Sequence, residues 1–135
     1  MRHTSKPSNY TENYLVYTGT HDNMPLNQYI KDLSEEELEV YDKDLAFEAK
    51  ELNIEFDPKI EGSEYRCEKV CELAFASVAK LCIIPIQDLL AQGQESRMNL
   101  PATVSTDNWS YRIYKSDLSK DLQKRLAGYV TKYNR

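Results

Sequence analysis

The sequence is short of several things. It has no apolar run approaching the ~18 residues that a membrane-spanning helix needs. Its N-terminus, MRHTSKPSNYTEN, is polar and lacks the apolar core of a secretory signal, so the cytoplasm is the expected compartment. It has no excess of basic residues. The net charge is -5, which leaves no electrostatic footprint for nucleic acid. It has only three cysteines, Cys67, Cys71 and Cys82, and an odd count does not make a disulfide framework. Its only histidines are His3 and His21, so a closed zinc site with sensible ligand spacing is missing and no metal is expected. Buried, reduced thiols are the expected state of the cysteines. There is no internal repeat, low-complexity tract or domain boundary, and 135 residues fit a single segment, 1–135.

What is present is a soluble globular balance, 41% hydrophobic and 29% charged. Residues 1–12 read as an irregular lead-in. Tyr14–Thr18, YLVYT, is aromatic and β-branched and predicts a short buried strand. Leu26, Tyr29, Ile30 and Leu33 recur at helical spacing behind Pro25. Ser34 with Glu37 forms a capping-box pattern that opens a second helix running to about Leu52. Residues 53–62 carry Pro58 and Gly62 and predict a loop, with Ser63 expected to cap the helix that follows. Leu81–Ile86 is a nearly continuous apolar run, as in a strand covered on both faces, with Pro85 marking where it stops. A short helical turn and a long loop follow. Ser119 then caps a final helix to about Tyr133, with Leu122, Leu126, Tyr129, Val130 and Tyr133 on its buried side.

The order is strand, helices, strand, helix, and polar residues follow the C-terminal end of each strand. That alternation predicts an α/β fold, predominantly helical, with a parallel arrangement of about two strands. In a (β/α)8 barrel, functional side chains gather at such strand ends, but a whole barrel takes eight strands and typically ~250 residues.

The stretch Gly19–Thr20–His21–Asp22–Asn23 sits just past the first strand. Alone it fits a turn, in which Gly frees the backbone and Asp or Asn caps a helix. Its hydroxyls, imidazole, carboxylate and carboxamide also suit a polyhydroxylated ligand. Ten tyrosines, three of them at Tyr10, Tyr14 and Tyr17, fit amphipathic packing and also sugar contact.

Three blocks decide between these readings: VYTGTHDN at Val16–Asn23, IIPIQDLL at Ile83–Leu90, and ESRMNLPATV…NWSYR from Glu95 to Arg112. In this order and spacing they resemble the C-terminal part of 4-alpha-glucanotransferases, also called amylomaltases or disproportionating enzymes. The resemblance runs over roughly residues 9–133. It implies a C-terminal fragment of a (β/α)8 barrel that transfers α-1,4-glucan segments to a 4-hydroxyl acceptor by a retaining mechanism, without metal or organic cofactor. The implied partners are α-1,4-glucans, glucose or maltooligosaccharide acceptors, and the N-terminal part of the barrel.

Residue by residue, the resemblance makes Asp22 the catalytic carboxylate that stabilises the transition state by holding sugar hydroxyls. It makes His21 a hydroxyl donor and Asn99 a sugar contact. Gln87 and Asp88 match the family's QD as substrate-binding positions, and a helix cap with a satisfied buried amide is the competing reading there. Arg97 has the alternative role of a buried ion-pair partner, and Trp109 reads as core or loop packing. The sequence departs from the family where Met24–Pro25 follow THDN, at LAQG (Leu90–Gly93), at PAT (Pro101–Thr103) and at NWSYR (Asn108–Arg112). No residue matches the family's nucleophile or acid/base. The 135 residues alone are therefore expected to be inactive. The competing function is a non-catalytic glucan-binding or helical interaction module.

Overall fold

The computed structural model describes residues 6–135. Two strands, β1 (Leu15–Tyr17) and β2 (Leu81–Ile83), form a parallel pair with Leu15 opposite Leu81, Val16 opposite Cys82 and Tyr17 opposite Ile83. The crossover between them carries helices α1 (Leu26–Lys31), α2 (Glu35–Glu51) and α3 (Ser63–Ala76). After β2 come a one-turn helix α4 (Ile86–Leu89), two 3-10 turns at Gln94–Ser96 and Lys115–Asp117, and helix α5 (Lys120–Lys132). Parallel strands need such a long crossover, which agrees with the predicted α/β arrangement. Among the described residues no helix is long and apolar enough to cross a membrane.

Local chemistry sets the helix boundaries. Ser34 and Glu37 make the full capping box: Glu37 N–H donates to Ser34 Oγ at 3.3 Å and Ser34 N–H donates to Glu37 Oε2 at 2.9 Å. Glu35, Glu36 and Glu37 also place negative charge at the positive end of α2. Ser119 Oγ accepts from Leu122 N–H at 3.1 Å and starts α5.

Several expectations are corrected. Ser63 is the first helical residue of α3 and not its cap. Gly62 holds the cap position with φ of 103°, a conformation that glycine adopts without a Cβ penalty. Strand β2 ends at Ile83, two residues before the stop expected at Pro85, which leads into α4. Val130, expected on the buried side of α5, is exposed, while Leu122 and Tyr129 are buried. The lead-in is not irregular throughout. Residues 1–5 lie outside the described residues, but Pro7–Asn9 forms a 3-10 turn. That turn is tied to α2, where fully buried Glu48 accepts from Ser8 N–H at 2.9 Å and Ser8 Oγ at 3.0 Å.

Most of the core is between helices. Ile30, Tyr41, Leu45, Ala49, Ile54, Cys67 and Leu73 form one buried cluster. A smaller one joins the sheet to α3 through Val16, Ala74 and Ala79. Cys67 and Cys71 are buried and Cys82 is half-buried, all as free thiols. The strands are not covered on both faces. Val16 is buried against the helices, whereas Leu15, Tyr17, Leu81 and Ile83 are each about half exposed on the other face. Among the described residues, α3 covers the buried side of the sheet through Ala74.

Candidate functional site

The segment after β1 is a turn, and the turn is what presents the chemistry. Asn23 Oδ1 accepts from Thr20 N–H at 2.7 Å and Thr20 Oγ1 at 2.9 Å, while Asn23 N–H donates to Thr20 O at 3.1 Å. Thr20 and Asn23 thus spend their polar groups closing the loop. His21 and Asp22, between them, are left with side chains about half exposed.

The third block of the sequence, 77 residues downstream, meets this turn. Asn99 Nδ2 donates to Asp22 Oδ1 at 2.8 Å. Arg97 donates through Nη2 to the Asp22 carbonyl at 2.9 Å and through Nε to the Asn99 carbonyl at 3.0 Å. Arg97 is half-buried and, among the described residues, bonds carbonyls and not the carboxylate of its alternative ion-pair reading. His21 Nε2 lies 3.4 Å from Asp22 Oδ1. Among the described residues no donor bonds Asp22 Oδ2, and the side chain is about half exposed. The structure therefore brings Asp22, His21 and Asn99 into one cluster.

Gln87 and Asp88 sit below that cluster, both buried, and help line a cleft of about 210 Å³ between the two loops. Their hydrogen bonds run within the chain. Gln87 Nε2 donates to Ser96 O at 3.2 Å. Asp88 Oδ1 accepts from Leu26 N–H, the first residue of α1, at 2.9 Å, and its Oδ2 accepts from the Thr18 hydroxyl. Burial pushes the Asp88 carboxyl above its ordinary value of 3.8, with these two donors pulling the other way. Asp88 thus clasps both ends of the loop that carries His21 and Asp22.

Trp109, for which the sequence suggests core or loop packing, belongs to the cluster and to neither buried core. It is 59% exposed, and its ring centroid lies 5.1 Å from that of His21. Its backbone is left-handed, φ 62°, and its N–H donates to Met98 O at 2.7 Å. As the only tryptophan, just past a loop rich in small polar residues, it carried a signal, but not the sign of its burial.

The cluster offers an imidazole, a part-open carboxylate, a carboxamide and an indole face. Such a set suits a ligand with hydroxyls and an apolar ring face. Among the described residues no three His, Cys, Asp or Glu side chains converge to hold a metal ion.

Comparison with known proteins adds the following. The family described as 4-alpha-glucanotransferase matches residues 1–117. The potato (Solanum tuberosum) protein named 4-alpha-glucanotransferase, chloroplastic/amyloplastic, is 38% identical over 132 residues, 96% of this chain and 20% of that protein. The 4-alpha-glucanotransferase of Synechocystis sp. is 34% identical over 130 residues, 96% of this chain and 23% of that protein. Among solved structures, an amylomaltase from Streptococcus agalactiae in complex with acarbose superposes with a TM-score of 0.74 at 34% identity. It covers 96% of this chain and 23% of that one. The chain spans about a fifth of the length of the curated relatives it matches.

Proposed function

Since the chain belongs to the 4-alpha-glucanotransferase family, we propose that it supplies one wall of an α-1,4-glucan-transferring site, with Asp22 stabilising the transition state. In this reading β1 and β2 are neighbouring strands of a (β/α)8 barrel and the segment is its C-terminal part. Loops at the C-terminal ends of barrel strands carry the chemistry in that fold. Here His21 and Asp22 follow β1, and Gln87 and Asp88 follow β2.

The observation that carries the reading is the state of Asp22. Asn99 and Arg97 fix its position, while its half-exposed side chain has no donor on Oδ2 among the described residues. Retaining transfer passes through an oxocarbenium-like state in which the sugar ring flattens and its hydroxyls move. A fixed carboxylate that meets the 2- and 3-hydroxyls better in that geometry than in the ground state lowers the barrier. His21 donates to a neighbouring hydroxyl and Asn99 orients the carboxylate. The nucleophile and acid/base carboxylates, ~5–5.5 Å apart in retaining enzymes, lie outside these 135 residues. The donor is an α-1,4-glucan and the acceptor is glucose or a maltooligosaccharide.

The test is a hybrid in which this chain replaces the matching segment of the S. agalactiae amylomaltase. The hybrid should disproportionate maltotriose, and Asp22→Asn should lower its turnover by about a thousandfold, as loss of a charged transition-state contact does. The 135 residues alone should release no glucose. A hybrid with Asp22→Asn at near-normal turnover refutes the assignment of Asp22. Transfer products from the isolated chain refute the location of the nucleophile.

A further inference from the structure

We propose that Trp109 is a sugar-stacking platform beside Asp22, taking the apolar face of one glucose unit of an α-glucan while His21 backs it from the loop after β1. The inference rests on the glucan-binding reading above and assigns that site a residue which neither the sequence motifs nor the relatives' names assign.

Three observations carry it. The first is exposure. Tryptophan has the largest apolar surface of any side chain and is normally well buried. Trp109 leaves 59% of its surface open, in a chain where it is the only tryptophan. The second is backbone conformation. Five described non-glycine residues have positive φ, and the others are Asn53, Ala91, Ala102 and Asn134, all small or carboxamide side chains. For a bulky residue the left-handed region is costly. Such strain persists only where surrounding bonds over-determine it, and it gathers at ligand sites. Here those bonds are visible. Trp109 N–H is held by Met98 O at 2.7 Å. Asn108 Oδ1 accepts from Leu100 N–H at 3.0 Å, and its Nδ2 donates to Thr103 Oγ1 at 3.1 Å.

The third is the neighbour that the conformation selects. The indole tilts 38° against the His21 ring, and His21 is itself 3.4 Å from the Asp22 carboxylate. Core packing does not explain the pose, because Trp109 belongs to neither buried cluster and is 59% exposed. A glucose ring presents axial C–H groups on its face and hydroxyls at its rim. The first match an indole face, and the second match His21, Asp22 and Asn99 around it.

Because Trp109 is the sole tryptophan, indole emission reports this one position. The experiment titrates the chain with maltoheptaose, with the β-linked cellohexaose as control, following indole emission and the backbone and side-chain NMR signals of His21 and Asn99. Saturable change in the emission with maltoheptaose, parallel to the NMR shifts and absent with cellohexaose, is the expected result. By NMR titration Trp109→Ala should weaken binding about tenfold and Trp109→Phe, which keeps an aromatic face, by no more than about threefold. Both should keep the melting temperature of the parent, since the ring packs into no core. If His21 and Asn99 respond while the emission and the Trp109→Ala affinity stay unchanged, the platform is refuted and the glucan site stands. If none of the three responds, the platform is refuted for this chain, and the maltotriose test on the hybrid decides the glucan reading separately.

Discussion

At the scale of single residues the site divides into groups that face outward and groups that hold them there. Asp88 shows the second kind most clearly. Its carboxylate is taken from water, which disfavours the charge, and is repaid by Leu26 N–H and the Thr18 hydroxyl. Asp88→Ala leaves that N–H and that hydroxyl without their acceptor in a part-buried place, so it should cost about 1 kcal/mol of unfolding free energy. It should also speed amide exchange across residues 19–25. Asp88→Asn keeps an acceptor for Leu26 N–H and removes the buried charge, so it should cost less. A raised carboxyl favours the fold below 3.8 and loses that contribution as pH rises through its folded value. The Asn variant should therefore gain on the parent as pH rises. Denaturant unfolding across pH checks this, and an Ala variant as stable as the parent would sink the clasp. The outward groups were partly legible. His21 and Asp22 stand next to the strand that presents them, so their place just past β1 was legible, while the site reading came from the resemblance of the three blocks and not from those letters alone. Trp109 was not legible, because its exposure follows from a left-handed backbone and not from its identity. Nor was Arg97. A cation in a sequence suggests a carboxylate partner, but here two carbonyls brought close by folding take its donors.

At the scale of elements, what could be read depended on whether the signal was local. The capping box of α2 and the Ser119 cap of α5 are short-range hydrogen bonds, and they stand where the letters put them. The start of α3 hinges on the φ of Gly62, and the end of β2 on how Pro85 turns the chain into α4. Both are choices between allowed conformations that neighbours in space make. The docking of α5 on α3 is likewise non-local and joins an aromatic contact, Tyr129 against Phe75 with ring centroids 5.3 Å apart, to a polar one. Buried Glu72 of α3 accepts from Tyr133 Oη at 2.6 Å and from Lys132 Nζ at 3.1 Å, and Lys69 Nζ lies at 3.2 Å. Burial raises the Glu72 carboxyl, but these three donors together outweigh it and the net shift is downward from 4.5. A lowered carboxyl gives stability that is present above the unfolded value and is lost as pH falls through the folded one. The parent should therefore be more stable than Glu72→Gln above pH 4.5, and the gap should close as the solution is acidified below it. Thermal melts of the two proteins from neutral to acid pH measure that gap. A gap that stays constant with pH would show that Glu72 acts by shape and not by charge.

At the scale of the whole molecule the unusual feature is a sheet with one bare face. An apolar run such as Leu81–Ile86 says that a strand wants company, but it does not say on which side the company comes from this chain. Helix α3 covers Val16, while Leu15 pairs with Leu81 and Tyr17 with Ile83 on the opposite face, each about half exposed. In the barrel reading this is the inward face, where layers of large side chains from all the strands fill the interior. Without such a filling, four large apolar side chains stand in water on a two-stranded sheet whose outer edges carry unpaired backbone groups. Both features drive association, the face by the hydrophobic effect and the edges by strand pairing. The purified chain should therefore self-associate as its concentration rises. Leu15→Lys with Ile83→Lys should shift it toward monomer, because two like charges on that face oppose stacking and each side chain can still reach solvent. The monomer fold should survive, since neither residue belongs to the buried clusters around Leu45 and Val16. Sedimentation equilibrium over a range of concentrations, with circular dichroism to confirm helix content, measures both effects. A parent that stays monomeric to millimolar concentration would mean that this face is stable in water without a partner, and the barrel reading would lose its packing argument.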